Sequence, residues 1–156
     1  MFTIVYTDKC AKTAKDLSDR LEESVLFPVE EALSSPENLG DFNNLGLVFH
    51  NDGKSLPLPM QDFIRRVLGN CDLRGLDYMF SVCVCDPKPG HALKIVEKLC
   101  AKAGCAPSLS ESVSPDATSS DLDSLASLIK AGDIRLAKGN IGTTFFMLTH
   151  GIKTRG

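Results

Sequence analysis

At 156 residues, 43% hydrophobic and 24% charged, the chain is long enough to bury a sizeable core and short enough for one compact domain over residues 1–156. A formal net charge of −3 removes the electrostatic case for general binding to nucleic acid or to an anionic membrane, since both attract cationic surfaces. No apolar run approaches the roughly 20 residues that cross a bilayer, and the first residues lack the basic-then-apolar layout of a secretion signal, so the expected address is the cytoplasm.

Residues 2–7 (FTIVYT) are β-branched and aromatic and end in polar residues, the pattern of a central parallel strand. A helix is expected over 11–23, with Ala14, Leu17, Ser18 and Leu21 at helical spacing and Lys12, Lys15, Asp16, Asp19 and Glu22 outward. Residues 24–29 (SVLFPV) read as a second strand, with Pro28 marking an edge or a strand end because proline cannot donate to a ladder. Breakers at Pro36 and Gly40, with several Asn and Asp residues, make 30–44 read as mostly loop. The third strand, 45–50 (LGLVFH), leads through a polar run into LPLPMQDFIRRVL. There Pro59 suits a first helical turn, and Met60, Phe63, Ile64 and Val67 form an apolar stripe. A fourth strand over 77–85 (DYMFSVCVC) ends in the tight loop 86–90 (DPKPG), and a helix over 92–103 is stopped by Gly104. A weak fifth strand over 107–113 precedes a helix over 121–131, with 116–123 (DATSSDLD) as the loop running into its cap. In the tail, 139–156, the stretch TTFFML is apolar enough for a strand or a packed helical end, and its pattern does not choose.

Six cysteines, Cys10, Cys71, Cys83, Cys85, Cys100 and Cys105, include no C-x-x-C spacing. Cys83 and Cys85 lie two apart in an apolar run and so share one face of a strand. With nothing to indicate an oxidising compartment, buried or half-buried free thiols are expected.

Strands alternating with helices argue for an α/β fold, a parallel sheet covered on both faces, whose ligands bind outside the carboxyl ends of the strands. Three loops leave that edge, at 7–13, 50–58 and 86–91.

The stretches VFHNDGKSLPLPMQDFIRRV (48–67) and FSVCVCDPKPGHALKIVEKLCAKAG (80–104), with the opening strand and helix, resemble the flavodoxin-like family, in particular its small bacterial members. The likeness covers about residues 1–115. It implies a flavodoxin-like three-layer sandwich with a five-stranded parallel sheet of order 2-1-3-4-5. It also implies FMN held without a covalent bond, electron transfer or a small flavin-dependent reductase activity, and a redox partner protein.

In that family the first loop wraps the FMN phosphate and the other two flank the isoalloxazine ring. Carried over, Thr7 resembles the first hydroxyl residue of the phosphate loop and Thr13 the last, with one extra residue between them. The family's glycines are replaced by Asp8, Lys9, Cys10, Ala11 and Lys12. Glycine makes the turns of a phosphate nest inexpensive, so this is a large departure. The helix start, the two hydroxyls and the lysines partly offset it, whereas Asp8 opposes an anion. For the ring, backbone groups of Asn51, Asp52, Gly53, Cys85 and Asp86 are the candidate partners, with Pro87 and Gly90 in the turn. No Phe, Tyr or Trp occurs in 51–58 or 86–90, which leaves His50 and His91 as the flat side chains at those edges. Acids such as Asp52 and Asp86 near the ring would lower its potential.

Other chemistries fit less well. A phosphoacceptor receiver domain would find only Asp8, a displaced Asp52, and Cys83 or Cys85 where a hydroxyl belongs. Cys10 near a helix N-terminus with Lys9 and Lys12 could be an activated thiol, but the C-x5-R spacing of cysteine phosphatases is missing, with Asp16 in the arginine's place, and it reads first as a small residue filling the helix start. No G-x-S-x-G, G-x-G-x-x-G or P-loop pattern occurs. The second functional expectation is a flavodoxin-like domain that has lost flavin binding and serves as an interaction or scaffold module.

Overall fold

A computed structural model describes residues 1–134 apart from 52, 54, 87 and 133. Five strands, β1 (Phe2–Tyr6), β2 (Ser24–Pro28), β3 (Asn44–His50), β4 (Tyr78–Val84) and β5 (Leu109–Val113), form one sheet in the order β2-β1-β3-β4-β5. Every pairing is parallel. This is the α/β architecture and strand order the sequence leads one to expect, with Pro28 on an edge strand where its missing N–H breaks no ladder.

Alternation along the strands divides the core in two. Leu45, Leu47 and Phe49 of β3 face one side with Met79, Cys83 and Cys85. They pack under α2 (Val29–Ser34), α3 (Leu58–Asp62) and α4 (Ala92–Ala103). Ile4, Val48, Phe80, Val82 and Val84 face the other side, against Ala14 and Leu17 of α1 (Ala11–Ser18) and Leu125, Ala126 and Ile129 of α5 (Ser119–Ala131). β4 is buried along its whole length, as expected for a strand flanked on both sides and covered on both faces. Gly46 in β3 lies against the ring of Phe80, its register partner, and a Cβ there would collide with that ring.

Several elements depart from the sequence expectation. α1 stops at Ser18 rather than near residue 23, and the chain turns through Glu23 at φ 51°, with the Ser24 hydroxyl bonded to the Ser18 and Leu21 carbonyls. Part of the stretch read as loop is helical: α2 is followed by a 3-10 turn at Pro36–Leu39. The expected Met60, Phe63, Ile64 and Val67 stripe is buried, but α3 widens into a π-helical turn over Phe63–Val67 and tightens into a 3-10 turn at Leu68–Asn70. α4 starts and stops where its periodicity says, with Gly104 left-handed at φ 98°. The tail, 139–156, lies outside the described residues. Among the described residues no helix is long and apolar enough to cross a membrane.

Candidate functional site

The three loops do converge at the carboxyl edge of the sheet. β1 hands over to a 3-10 turn, Asp8–Cys10, that runs directly into α1. The Thr7 N–H donates to the Val48 carbonyl at 3.0 Å, which stitches the first loop to β3. At the next two loops, the Asn51 side-chain amide donates to the Lys88 carbonyl at 3.1 Å and ties 50–58 to 86–91.

The inside of the first loop is occupied by its own groups. Thr7 is only 3% exposed, and its hydroxyl lies 3.0 Å from His50 Nδ1 and 3.4 Å from the Cys10 sulfur. A threonine has one proton to give. When that proton goes to sulfur, Nδ1 is the donor to the hydroxyl oxygen; when it goes to Nδ1, the sulfur loses its donor. Cys10 is 1% exposed and packs with Ala14, Leu17 and Val48. Burial raises its thiol pKa, and the Thr7 hydroxyl and Lys9 only partly oppose that. Cys10 is thus a small residue filling the helix start and not an activated thiol: a side chain turned into the core loses more by desolvation than it gains from a dipole.

The remaining phosphate-loop candidates are placed as follows. Thr13 is buried. Lys12 reaches along the helix to Asp16 at 3.1 Å, an exposed i,i+4 pair. Asp8, Lys9 and Ala11 are exposed. The Cys10 N–H is spent on the Thr7 carbonyl at 2.8 Å.

On the ring side, the Cys85 N–H donates to the Val113 carbonyl at 2.9 Å, which prolongs the β4–β5 pairing by one residue and takes that amide out of use. Cys85 is itself buried, with its thiol pKa raised by that burial. Asn51 is half-buried, Gly53 is exposed at φ 54°, and Asp86 is exposed. Gly90, at φ 58°, and His91 precede α4, where the His91 carbonyl accepts the Ile95 N–H at 2.9 Å. Asp52 and Pro87 lie outside the described residues. Sequence reasoning placed Thr7 and His50 at the same edge but not in contact. Nothing in the local pattern signals the bond, because the two are joined only once β1 and β3 are paired.

Beside this edge, a groove of about 310 Å³ runs between the end of β5 and the start of α5, lined by Glu111, Ser112, Val113 and Asp121 among others. Asp121 is committed there to the helix cap: its carboxylate accepts the Thr118 N–H while its own N–H donates to the Thr118 hydroxyl, both at 3.1 Å.

The six cysteines are all free, four buried and two half-buried, as their spacing leads one to expect. No cluster of metal-ligating side chains occurs among the described residues.

No protein-family model and no curated protein sequence matches the chain. Solved structures do. A short-chain flavodoxin associated with a non-canonical PDU bacterial microcompartment superposes with a TM-score of 0.63 at 17% identity, over 83% of this chain and 98% of its own. The flavodiiron core from Synechocystis gives 0.62 at 16% identity over 80% of this chain, which spans only 33% of that one. General stress protein 14 of Treponema denticola, in complex with FMN, gives 0.50 at 10% identity over 81% and 93%. The fold is flavodoxin-like.

Proposed function

We propose that this chain is a flavodoxin-like module that has given up the phosphate grip of flavodoxins and works as an interaction or scaffold domain. The observation that carries this reading is the Thr7 hydroxyl, buried and committed to His50 and Cys10. To hold a phosphate, the loop would have to break those contacts and turn Thr7 outward. It has no glycine to ease the turn, and Lys12 is drawn away by Asp16. Asp8, exposed at the loop tip, adds a like charge worth on the order of 1–4 kcal/mol against a nearby anion at effective dielectrics of 80 to 20. The residues described at this corner therefore do not fit the FMN phosphate.

A second reading, an FMN-binding electron-transfer protein or small flavin reductase, is favoured by the likeness to flavodoxins over nearly the whole length of one of them and by the FMN complex among the matches. Titration of the purified protein with FMN separates the two. The proposed reading expects unperturbed flavin absorption bands and unquenched fluorescence with protein in the range of about 10–100 μM, a span in which binding worth roughly 5.5–7 kcal/mol would register. Quenching that saturates in that range overturns it in favour of the second.

A further inference from the structure

We propose that Cys100 and Cys105 form an oxidisable dithiol, a modification site at the amino edge of the sheet, opposite the three loops. The pair is a product of how α4 ends. Gly104 turns left-handed at φ 98°, its N–H bonds back to the Ala101 carbonyl at 3.2 Å, and the Cys105 N–H donates to the Cys100 carbonyl at 2.9 Å. That doubly bonded cap sets the second residue past the helix over the fourth from its end, a contact that natural helices often fill with apolar side chains. The sequence CAKAGC puts sulfur on both sides of it.

The cap brings the two side chains onto one patch of the core, where Cys105 packs against the cluster that holds Cys100. Their surroundings differ in the way thiol–disulfide exchange requires. Cys100 is fully buried. Cys105 is half-buried and borders a cavity of about 140 Å³ with Leu73, Leu76, Tyr78 and Met79, through which a reagent approaches. The neighbouring Cys100 holds the Cys105 thiol below its ordinary pKa, while Cys105 and burial push Cys100 up. Being the sulfur a reagent can reach, Cys105 is the attacking thiolate, and the enclosed Cys100 is the resolving thiol. Cys71 stands near enough for the Cys105 charge to raise its pKa, but its N–H donates to the Leu68 carbonyl at 3.2 Å, and the cap that holds Cys105 to Cys100 does not include it.

The step balances with a low-molecular-weight disulfide such as oxidised glutathione. The Cys105 thiolate attacks one glutathione sulfur, the reagent's S–S bond breaks, and one glutathione leaves as thiolate. Cys100 then loses its proton to solvent and attacks the Cys105 sulfur, expelling the second glutathione. Two protein thiols are oxidised to one disulfide, and one reagent disulfide is reduced to two thiols.

The test treats the full chain with oxidised glutathione, blocks remaining thiols in acid and digests with trypsin without reduction. The expected product is peptide 99–102 joined to peptide 103–130, which dithiothreitol separates. Cys100→Ser is expected to stop at a persistent glutathione adduct on Cys105. Peptide 67–74, which carries Cys71, joined to 103–130 overturns the assignment, as does a lasting adduct on the native chain or no reaction at Cys105. The native peptide map decides alone if the variant fails to fold.

Discussion

The Thr7 hydroxyl and the His50 imidazole meet at 3.0 Å across 43 positions of sequence, and join the end of β1 to the end of β3. Both strands end in a polar residue at the edge where flavodoxin-like folds bind ligands, and here those residues satisfy each other. Thr7→Val keeps the side-chain shape and removes the hydroxyl, so it is expected to cost about 1–2 kcal/mol, read as a lower urea midpoint with unchanged slope. An unchanged midpoint would show that the contact adds nothing to stability.

Gly46→Ala tests how closely β3 and β4 fit. The added methyl meets the Phe80 ring, which also packs edge-on against Phe2 with ring centroids 6.1 Å apart. Because the ring is held from both sides it has little room to retreat, and a loss of about 1–3 kcal/mol is expected. Thermal unfolding checks this, and a wild-type melting temperature would mean that the ring moves freely.

At the start of α5, Thr118 and Asp121 form a reciprocal capping box. Thr118→Ala leaves the Asp121 N–H without its partner, with an expected cost of about 1 kcal/mol. Denaturant titration measures it; Thr118→Ser, which keeps the oxygen, is expected to stay near wild type.

Stability should fall as the solution turns alkaline. Burial raises the pKa of Cys10, Cys71, Cys83 and Cys85, and the Cys105 contact together with burial raises that of Cys100. Only Cys105 is shifted the other way. An acid whose folded pKa lies above its unfolded value keeps its proton where the unfolded chain has released it. Its contribution is therefore complete below the ordinary thiol pKa of about 8.5 and shrinks as pH rises past it. Urea midpoints at neutral pH and at moderately alkaline pH, with Cys83→Ala as comparison, test this. The native chain is expected to lose more than the variant does, and equal losses would remove Cys83 from the account.

Surface thiol chemistry offers an independent check on the same burial. Cys71 and Cys105 are half-buried, and Cys10, Cys83, Cys85 and Cys100 are buried. An aromatic disulfide reagent is expected to modify the first two in the native protein and the other four only on unfolding. Rapid native labelling of Cys10 would mean that its loop opens and would weaken the case that Thr7 is committed inward.

Much of the architecture is legible because burial imprints a period on each element. FTIVYT, LGLVFH and the run ending in CVC announce buried parallel strands, and α4 carries both its stripe and its terminating glycine. α2 is not legible in the sequence because six residues hold too few repeats to show a period, although Val29 and Ala32 are buried three apart. The end of α1 is masked in the sequence because Leu21, which extends the apolar stripe, is buried from the turn that follows the helix.

The order of residues along the chain already settled the alternation of strands and helices, the shared face of Cys83 and Cys85, and the edge at which the loops gather. It did so because those features depend on near neighbours and on the handedness of parallel crossovers. What became of Thr7, Cys10 and His50 waited on assembly. A hydroxyl, a thiol and an imidazole on separate loops have no preferred partner until paired strands bring them within hydrogen-bond reach, and only then is it decided whether a polar group faces a ligand or its own protein.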